Sequence, residues 1–318
     1  MHRIAKKIGG TMELEFRKPT LEDKERIDYY YRQANSRSCE DTFANLYLWN
    51  RMYPTEFAIV KDMMVLKSAG KDFFFRFPKG SLEHVKEVVE IMADYAREQN
   101  CPFKMGVVTP AQFETLEELF PGRFQVTYNR DDADYVYERE KLANLSGKKY
   151  HGKKNHVNKF LRMHPDWKFE PITDENVEEC FQMALIWRNE NGCDEEGGKL
   201  AEMCVTLNSL RLMKELKLTG ACLRVDGRVV AFTVGEPLCD DTYVVHIEKA
   251  LTQIEGAYPM INQQFVKMAM EDFLYVNREE DTGDEGLRQA KLSYRPAFLV
   301  EKGIVTERQE MEGAEITG

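Results

Sequence analysis

The chain has 318 residues, 43% of them hydrophobic, and a formal net charge of −10. At this length two domains of roughly 150 residues each are more common than a single core. No apolar run approaches the ~20 residues of a membrane-spanning helix, and the basic start lacks the apolar region of a signal peptide, so we expect a soluble, cytoplasmic protein.

The cysteines are seven in number and scattered, without a C-x-x-C pair. This pattern argues against a disulfide framework and against a zinc ribbon. The sequence therefore predicts reduced thiols and no metal site.

The first half predicts the order strand, helix, hairpin, strand, helix, strand. Met12 begins a strand-like segment, so residues 1–11 are expected to be an extension and 12–140 the first domain. After a helix from Leu21, FAIVKDMMVLKS predicts a hairpin that turns at Lys61 and Asp62, and DFFFRF predicts a strand. The following helix is expected to bury Leu82, Val85, Val89, Met92 and Ala96.

The segment 141–165 carries six lysines and Arg162 but no acid. The spacing predicts a short helix at the domain junction that buries Tyr150, Val157, Phe160 and Leu161. One interpretation is a solvated linker helix that pairs with acidic surface elsewhere. The other is a binding segment for a phosphate-bearing partner, because concentrated positive charge favours phosphate.

The second half, residues 166–318, predicts the same order of elements. A helix from Asp174 is expected to bury Val177, Phe181, Ala184 and Leu185. ACLRVDGRVVAFTVG predicts a hairpin that turns at Asp226 and Gly227. The strand TYVVHIEKA then leads to a helix whose predicted inner face is Ile261, Phe265, Met268 and Ala269.

Two features at the end of that strand could carry chemistry. Gln253 and Gly256 precede a helix start, where unpaired N–H groups can bind an anion, although a glycine there is also typical of a plain turn. Glu248 is flanked by apolar residues, and its burial would suit a general base. Alternatively, Glu248 pairs with Lys249 or lies at a sheet edge.

A third feature is NREEDTGDEGLRQAKLSYRP, residues 277–296. Arg288, Lys291 and Arg295 form a cationic stripe of a short helix after five acidic residues. A network of salt bridges would explain part of this pattern. Short polar groups also bracket the cluster at a strand end, where sites in α/β sheets commonly form; they are Asn277, Arg278, Ser293 and Tyr294.

Together, GKKYHGKKNHVNKF, EGAYPMINQQF and NREEDTGDEGLRQAKLSYRP resemble a bacterial family related to the C-terminal domain of phosphatidylglycerol lysyltransferase. The resemblance extends from Met12 to about Arg308. It implies an α/β (α+β) chain of two tandem GNAT-like (acyl-CoA N-acyltransferase) domains, each a mostly antiparallel mixed sheet flanked by helices, similar to the Fem aminoacyltransferases.

The resemblance implies a transferase that moves an acyl or aminoacyl group to an amine or hydroxyl. The donor would be acyl-CoA or aminoacyl-tRNA. Tyr258 replaces the last small residue of the usual coenzyme A loop, which favours tRNA, and peripheral membrane contact is compatible with the family. The alternative is a non-catalytic GNAT-like module that binds RNA or a nucleotide.

Specific roles follow from this interpretation. Glu248 is expected to be the base and Tyr294 the acid. The expected substrate- and donor-binding residues are Lys153, Lys154, His156, Gln253, Gly256, Asn277, Arg278, Glu279, Glu280, Asp281, Arg288, Lys291 and Ser293.

Overall fold

The computed structural model of the protein describes residues 7–8, 11–12, 14–191 and 198–308. The chain forms two compact units. Unit 1 consists of Met1–Pro19, Pro54–Arg130 and Glu301–Gly318, and unit 2 of Thr20–Tyr53 and Asp131–Val300. The extension predicted at residues 1–11 lies outside the described residues, except for positions 7–8 and 11.

The secondary structure alternates between strands and helices along the described chain. The strands are β1 (Lys7–Ile8), β2 (Thr11–Met12), β3 (Thr55–Val60), β4 (Met63–Ser68), β5 (Lys79–Gly80), β6 (Lys104–Val108), β7 (Phe124–Tyr128), β8 (Asp134–Glu138), β9 (Lys168–Pro171), β10 (Thr219–Val225), β11 (Arg228–Cys239), β12 (Thr242–Ala250), β13 (Tyr275–Asn277), β14 (Phe298–Val300) and β15 (Gly303–Glu307). The helices are α1 (Lys24–Ala34), α2 (Phe43–Trp49), α3 (Val85–Glu98), α4 (Pro110–Leu119), α5 (Arg139–Asn144), α6 (His151–Met163), α7 (Val177–Glu190), α8 (Gly198–Arg211), α9 (Met213–Leu216), α10 (Ala257–Ala269) and α11 (Glu285–Leu292).

The two units differ from the domain ranges predicted from the sequence. Residues 20–53, predicted in the first domain, belong to unit 2, where Asn277 Nδ2 donates a hydrogen bond to the Arg37 carbonyl at 2.8 Å. Conversely, the chain after residue 300 returns to unit 1 because β15 pairs with β6 and β7. Each unit is therefore assembled from segments that are distant in sequence, which local periodicity does not indicate.

Unit 1 contains three small antiparallel sheets among its described residues: the two-stranded β1-β2, and two three-stranded sheets with the orders β3-β4-β5 and β6-β15-β7. The predicted hairpin is present, and both turn residues, Lys61 and Asp62, adopt positive φ. The predicted strand DFFFRF is reduced to isolated bridges at Phe75. Leu82 is exposed, against the prediction: it lies in a 3₁₀ turn that precedes α3 and is not part of the helix whose inner face is buried.

Unit 2 is built on a seven-stranded sheet with the order β14-β8-β13-β12-β11-β10-β9. Its neighbours are antiparallel except for β12 and β13, which are parallel. The predicted hairpin turn at Asp226 and Gly227 joins β10 to β11 with positive φ at both residues. A mostly antiparallel sheet with helices is what the sequence predicted for this half.

Segment 141–165 is part of unit 2 and is not a separate linker. Val157 and Phe160 of α6 are buried in a core cluster with residues of α10, as predicted. Leu161 is exposed, against the prediction: it lies about 40° from Val157 but about 100° from Phe160 around the helix, at the edge of the buried face. This helix stands beside the site described below.

The inner faces predicted for α7 and α10 are partly correct. In α7, Ala184 is buried as predicted, but Cys180 and Met183 fill the core in place of Val177 and Phe181, which are half-buried. In α10, Ile261 and Phe265 are buried, whereas Met268 near the helix end is exposed and Ala269 half-buried.

Candidate active site

Glu248 and Arg278 meet where two neighbouring strands separate. β13 pairs with β12 only through Thr242–Val244, whereas β12 continues to Ala250. Beyond that pairing, Arg278 Nη2 donates to Glu248 Oε1 at 2.9 Å. The ion pair thus lies at the carboxyl ends of two parallel strands, a common position for ligand sites.

The Glu248 carboxylate is fixed by two donors. Its second oxygen, Oε2, accepts a hydrogen bond from Asn262 Nδ2 of α10 at 2.9 Å, and its side chain is 9% exposed. The alternatives considered for Glu248 are not found, since β12 is an interior strand and Lys249 pairs with Glu202. Asn262 carries no signal in the sequence beyond being one polar residue in a helix, so it is not among the predicted site residues.

Tyr294 lies beside this ion pair. It is 5% exposed, and the guanidinium carbon of Arg278 lies 4.7 Å from the centre of its ring. Burial raises the pKa of Tyr294, although the nearby Arg278 opposes the rise, so the phenol keeps its proton at neutral pH. Among the described residues, the buried Arg278 Nη1 has no hydrogen-bond partner.

Lys153 of α6 also reaches the site. Its Nζ lies 4.1 Å from the centre of the Tyr294 ring. Burial, together with the charge of Arg278, lowers the pKa of Lys153 to about 8, while Glu248 acts in the opposite direction. Lys154 and His156 are exposed on α6. The structure therefore brings Lys153, but not its neighbour Lys154, to the ion pair.

Arg288, which the sequence predicts to bind the substrate or donor, forms ion pairs with nearby carboxylates. Arg288 Nε donates to Asp281 Oδ2 at 2.8 Å, and Nη2 contacts Asp131 Oδ1 at 2.6 Å. Asp281 is fully buried and also accepts a hydrogen bond from the Tyr135 hydroxyl. The Arg288 guanidinium holds the pKa of the Asp281 carboxyl well below its usual range. The salt-bridge interpretation of this part of the sequence is therefore the one that the contacts match.

The Lys291 side chain points toward the backbone of residues 278–280. It is buried, and its Nζ donates to the carbonyl oxygens of Arg278 at 2.7 Å and Glu279 at 3.1 Å, and also to that of Glu280. Burial lowers the pKa of Lys291. Its three donors support the backbone that carries Arg278. Ser293, half-buried after α11, donates to the Ala290 carbonyl.

Asn277 and Glu279 belong to contacts away from Glu248. Asn277 is fully buried and accepts a hydrogen bond from the Glu279 N–H at 2.7 Å. The Glu279 carboxylate contacts His246 Nδ1 at 2.8 Å, and Glu236 contacts His246 Nε2 at 3.0 Å. Burial alone would lower the pKa of His246, but the two carboxylates raise it to about 10. His246 is not among the predicted site residues, since one histidine in an apolar strand carries no motif.

The remaining acidic residue, Glu280, lies close to Cys39 and Asp134. One ligand atom from each of these three residues lies within 4.8 Å of the others. Asp134 Oδ2 already accepts hydrogen bonds from Cys39 N and Asn277 Nδ2, both at 2.9 Å. The group is thus integrated into the hydrogen bonding between residues 20–53 and the sheet of unit 2.

Gln253 and Gly256 precede α10, as predicted, but their contacts are with neighbouring helices. Gly256 has a φ of +85°, and a Cβ there would lie 2.5 Å from the His156 carbonyl oxygen of α6. Gln253 Nε2 donates to Glu190 at 3.3 Å, and the Tyr258 hydroxyl accepts from Trp187 Nε1 at 3.1 Å. Glycine is therefore required at 256 by the close approach of α6.

The outer side of α6 is strongly cationic. Lys148, Lys149, Lys154 and Arg162 are exposed. A polar cavity of about 420 Å³ on this side is lined by Asn155, His156, Asn158, Lys159, Arg162 and Glu255.

Within the described chain, none of the helices has the length and apolar character needed to span a membrane.

Solved structures of similar proteins share this fold. A conserved protein of unknown function from Bacteroides thetaiotaomicron has 38% sequence identity and a TM-score of 0.88, covering 93% of this chain and 100% of that one. L-PGS from Bacillus licheniformis has 14% identity and a TM-score of 0.64, covering 91% and 93%. FemX has 9% identity and a TM-score of 0.61, covering 92% and 97%. These neighbours confirm the predicted GNAT-like fold class.

Two sequence comparisons complete this result. An uncharacterized protein of Mycoplasmoides gallisepticum is 22% identical over 178 residues, which are 56% of this chain and 57% of that protein, so the match spans little more than half of that relative. The family model described as phosphatidylglycerol lysyltransferase, C-terminal, matches residues 31–304. Since this range covers most of the sequence, the chain belongs to the phosphatidylglycerol lysyltransferase C-terminal family.

Proposed function

We propose that the protein is an acyl- or aminoacyltransferase with aminoacyl-tRNA as its donor and an amine or hydroxyl group as its acceptor. The observation that carries the proposal is the Glu248–Arg278 ion pair where β12 and β13 separate. Tyr294 and Lys153 lie beside it. A base, a protonated phenol and two cations are the groups that such a transfer requires.

Each group has a place in the reaction. Glu248 takes a proton from the acceptor, whose electron pair forms a bond to the donor carbonyl carbon. The carbonyl oxygen gains negative charge, which the Arg278 guanidinium stabilises. As the ester bond of the donor breaks, the leaving oxygen takes a proton from Tyr294, and exchange with solvent restores both residues.

The preference for tRNA over coenzyme A has two supports. The Gly256 loop, which resembles a coenzyme A phosphate loop, is in contact with α6 at His156. The exposed lysines of α6, including Lys154, form a cationic surface of the kind that a nucleic-acid backbone selects. We propose that this surface holds the donor while its aminoacyl end reaches Glu248.

A transfer assay tests the proposal. Radiolabelled lysyl-tRNA, alanyl-tRNA and acetyl-CoA are each incubated with the protein and vesicles that contain phosphatidylglycerol, and the products are identified by mass spectrometry. We expect transfer from a charged tRNA and none from acetyl-CoA. Glu248→Gln should lower turnover about a hundredfold at unchanged donor affinity, the effect of losing a general base.

The matched control is Glu271→Gln, which removes an exposed carboxylate of unit 2 and should leave turnover unchanged. Equal affinity for charged and uncharged tRNA with no transfer from any donor would favour the non-catalytic RNA-binding module. Weaker donor binding in Glu248→Gln at full turnover would make Glu248 a ligand-binding residue.

A further inference from the structure

Positive charge exceeds negative charge around Tyr294. Lys153 and Arg278 both lie against its ring, at 4.1 Å and 4.7 Å from the centroid. Glu248 is the carboxylate that faces them, and both of its oxygens are occupied by Arg278 and Asn262. Counting these charged groups, the site carries one net positive charge when Lys153 is protonated.

The two cations also retain hydrogen-bonding capacity. Arg278 Nη1 is buried without a partner among the described residues. Among the residues that the structure describes, Lys153 also makes no hydrogen bond or ion pair, whereas Lys159, six residues further along α6, pairs with Glu255. A buried guanidinium nitrogen without a partner is costly, and an anion is the strongest partner that it can gain.

The charged and titratable groups that face Lys153 come from three elements. The charged ones are Glu248 of β12 and Arg278 directly after β13. The third is the titratable phenol of Tyr294, shortly after α11, which is neutral at ordinary pH. The proximity of Arg278 and burial disfavour the charged form of Lys153, which agrees with its lowered pKa. An anion next to both cations would reverse this effect.

We propose that Lys153 and Arg278 bind a singly charged oxyanion of the substrate, a phosphodiester or a carboxylate, beside Glu248. The inference rests on the proposed function in that it places this oxyanion next to the reacting groups. Arg278 offers Nη1 as a charged donor while its Nη2 stays on Glu248, and Lys153 offers a mobile point charge. The substrate is thereby recognised by an anionic group adjacent to the amine or hydroxyl that reacts.

The first experiment needs no knowledge of the substrate. The reactivity of each lysine amine toward isotope-coded acetic anhydride is measured against pH by mass spectrometry, in chloride alone and with diethyl phosphate or acetate at matched ionic strength. We expect Lys153 to titrate near pH 8 in chloride, and its midpoint to rise by roughly one unit or more with the bound anion. Lys154, on the exposed side of the same helix, should not shift.

Variants distinguish a specific anion-binding site from nonspecific electrostatic attraction. Lys153→Met keeps an unbranched apolar stem over Tyr294 and should weaken diethyl phosphate or acetate binding roughly tenfold or more, as should Arg278→Lys. Lys267→Met removes an exposed lysine of α10 and should change binding less than twofold. The anion that raises the titration midpoint of Lys153 more identifies the ligand group: a phosphodiester if it is diethyl phosphate, a carboxylate if it is acetate.

The possible results divide clearly. A midpoint for Lys153 that neither anion moves, or an equal shift at Lys154, overturns the proposal. If no donor supports transfer but an anion raises the Lys153 midpoint, the proposed function falls and the oxyanion site stands. If transfer occurs and Lys153→Met leaves every KM unchanged, the oxyanion site falls and the proposed function stands.

Discussion

Asn262 of α10 donates a hydrogen bond to Glu248 of β12 at 2.9 Å, although strict alternation would place Glu248 on the other face of the strand. Tyr243 of β12 also faces α10, where its ring centroid lies 5.9 Å from that of Phe265. Side chains alternate between the two faces of a strand, so residues 243 and 248, which are five positions apart, would lie on opposite faces of a regular strand. Both face α10, so one extra residue must be inserted between them. The register of β11 with β12 shifts at His246, which is skipped between the paired positions Val245 and Ile247. This bulge turns Glu248 toward α10.

The first prediction concerns the support that Asn262 gives to Glu248. In Asn262→Ala, Glu248 keeps Arg278 but loses its second donor, so kcat should fall about tenfold while donor affinity is unchanged. Steady-state kinetics with the donor that supports transfer checks this. The control is Gln263→Ala, which loses a hydrogen bond to the Ala143 carbonyl at 2.9 Å. Equal losses of kcat in the two variants would show that Asn262 acts only through stability.

The candidate site can be predicted from the sequence where residue chemistry alone decides. Glu248 stands out because a carboxylate in an apolar strand is unusual, and Lys153 because α6 lacks acids. Asn277 and Arg278 were grouped together, yet adjacent residues at a strand end point to opposite sides. Arg278 thus contacts Glu248, whereas Asn277 contacts Asp134. The salt-bridge interpretation of residues 277–296 anticipates acid–cation pairs in general, but the sequence does not indicate that Asp281 is the acid that pairs with Arg288.

The fold was predictable where turns and helix periods are local. The turn at Asp226 and Gly227 was found because that dipeptide readily takes positive φ. The assignment of residues 20–53 to unit 2 and of residues 301–308 to unit 1 depends on contacts between segments that are distant in sequence, which a hydrophobic pattern does not encode. The bulge at His246 was also not foreseeable, because β12 reads as one continuous strand.

The second prediction concerns the contact between Gly256 and α6. Gly256→Ala places a Cβ 2.5 Å from the His156 carbonyl oxygen, at a φ of +85°. Gly227 has a φ of +75° with nothing within 4 Å of a Cβ, so Gly227→Ala tests the backbone strain alone. We expect a loss of about 1 kcal/mol in the free energy of unfolding for Gly227→Ala. Overpacking should add roughly 1–3 kcal/mol for Gly256→Ala, measured by urea denaturation. Equal losses would contradict the close approach of α6.

The third prediction assigns Asp281 and Arg288 to stability. Asp281→Asn removes charged hydrogen bonds from Arg288 and should lower the free energy of unfolding by about 2–3 kcal/mol. The affinity for diethyl phosphate should stay within about twofold per folded molecule. Arg288 pairs with carboxylates and is not part of the proposed oxyanion site of Lys153 and Arg278. A large loss of affinity without loss of stability would restore Arg288 as a donor-binding residue.

Asp281 also makes a contribution that depends on pH. Its pKa in the folded protein lies below the ordinary value of 3.8. The ionised carboxylate therefore stabilises the fold above the unfolded pKa, and this contribution is lost as the pH falls through the folded value. Stability curves of the protein and Asp281→Asn should converge on acidification from pH 5.

The fourth prediction concerns the exposed lysines of α6. Lys154→Ala should reduce the slope of log affinity for tRNA against log salt by about one unit, the effect of losing one phosphate contact. Because the side chain is exposed, the free energy of unfolding should change by less than about 0.5 kcal/mol. Filter binding over a range of salt concentrations gives the slope. An unchanged slope would remove Lys154 from the donor surface and leave α6 with a structural role.

The last prediction follows from the position of His246 between Glu236 and Glu279. Its folded pKa of about 10 exceeds the ordinary value of 6.5. The protonated imidazole therefore stabilises the fold fully below about pH 6.5, and the contribution disappears as the pH rises through about 10. Between pH 7 and 10.5 the free energy of unfolding should fall more steeply for the unmodified protein than for His246→Gln. Urea denaturation at pH 7, 8.5 and 10 measures both slopes.

The comparison with His246→Gln removes the titrations that the two proteins share, namely those of lysines, tyrosines and cysteines. Glutamine can still donate one hydrogen bond to a carboxylate, so the difference in slope reports the imidazolium charge. Parallel curves would mean that His246 is neutral between its carboxylates. In that case the proton shared by His246 and Glu279 would lie on Glu279, whose pKa is raised by burial. The bulge that orients Glu248 would then depend on a hydrogen bond between two neutral side chains.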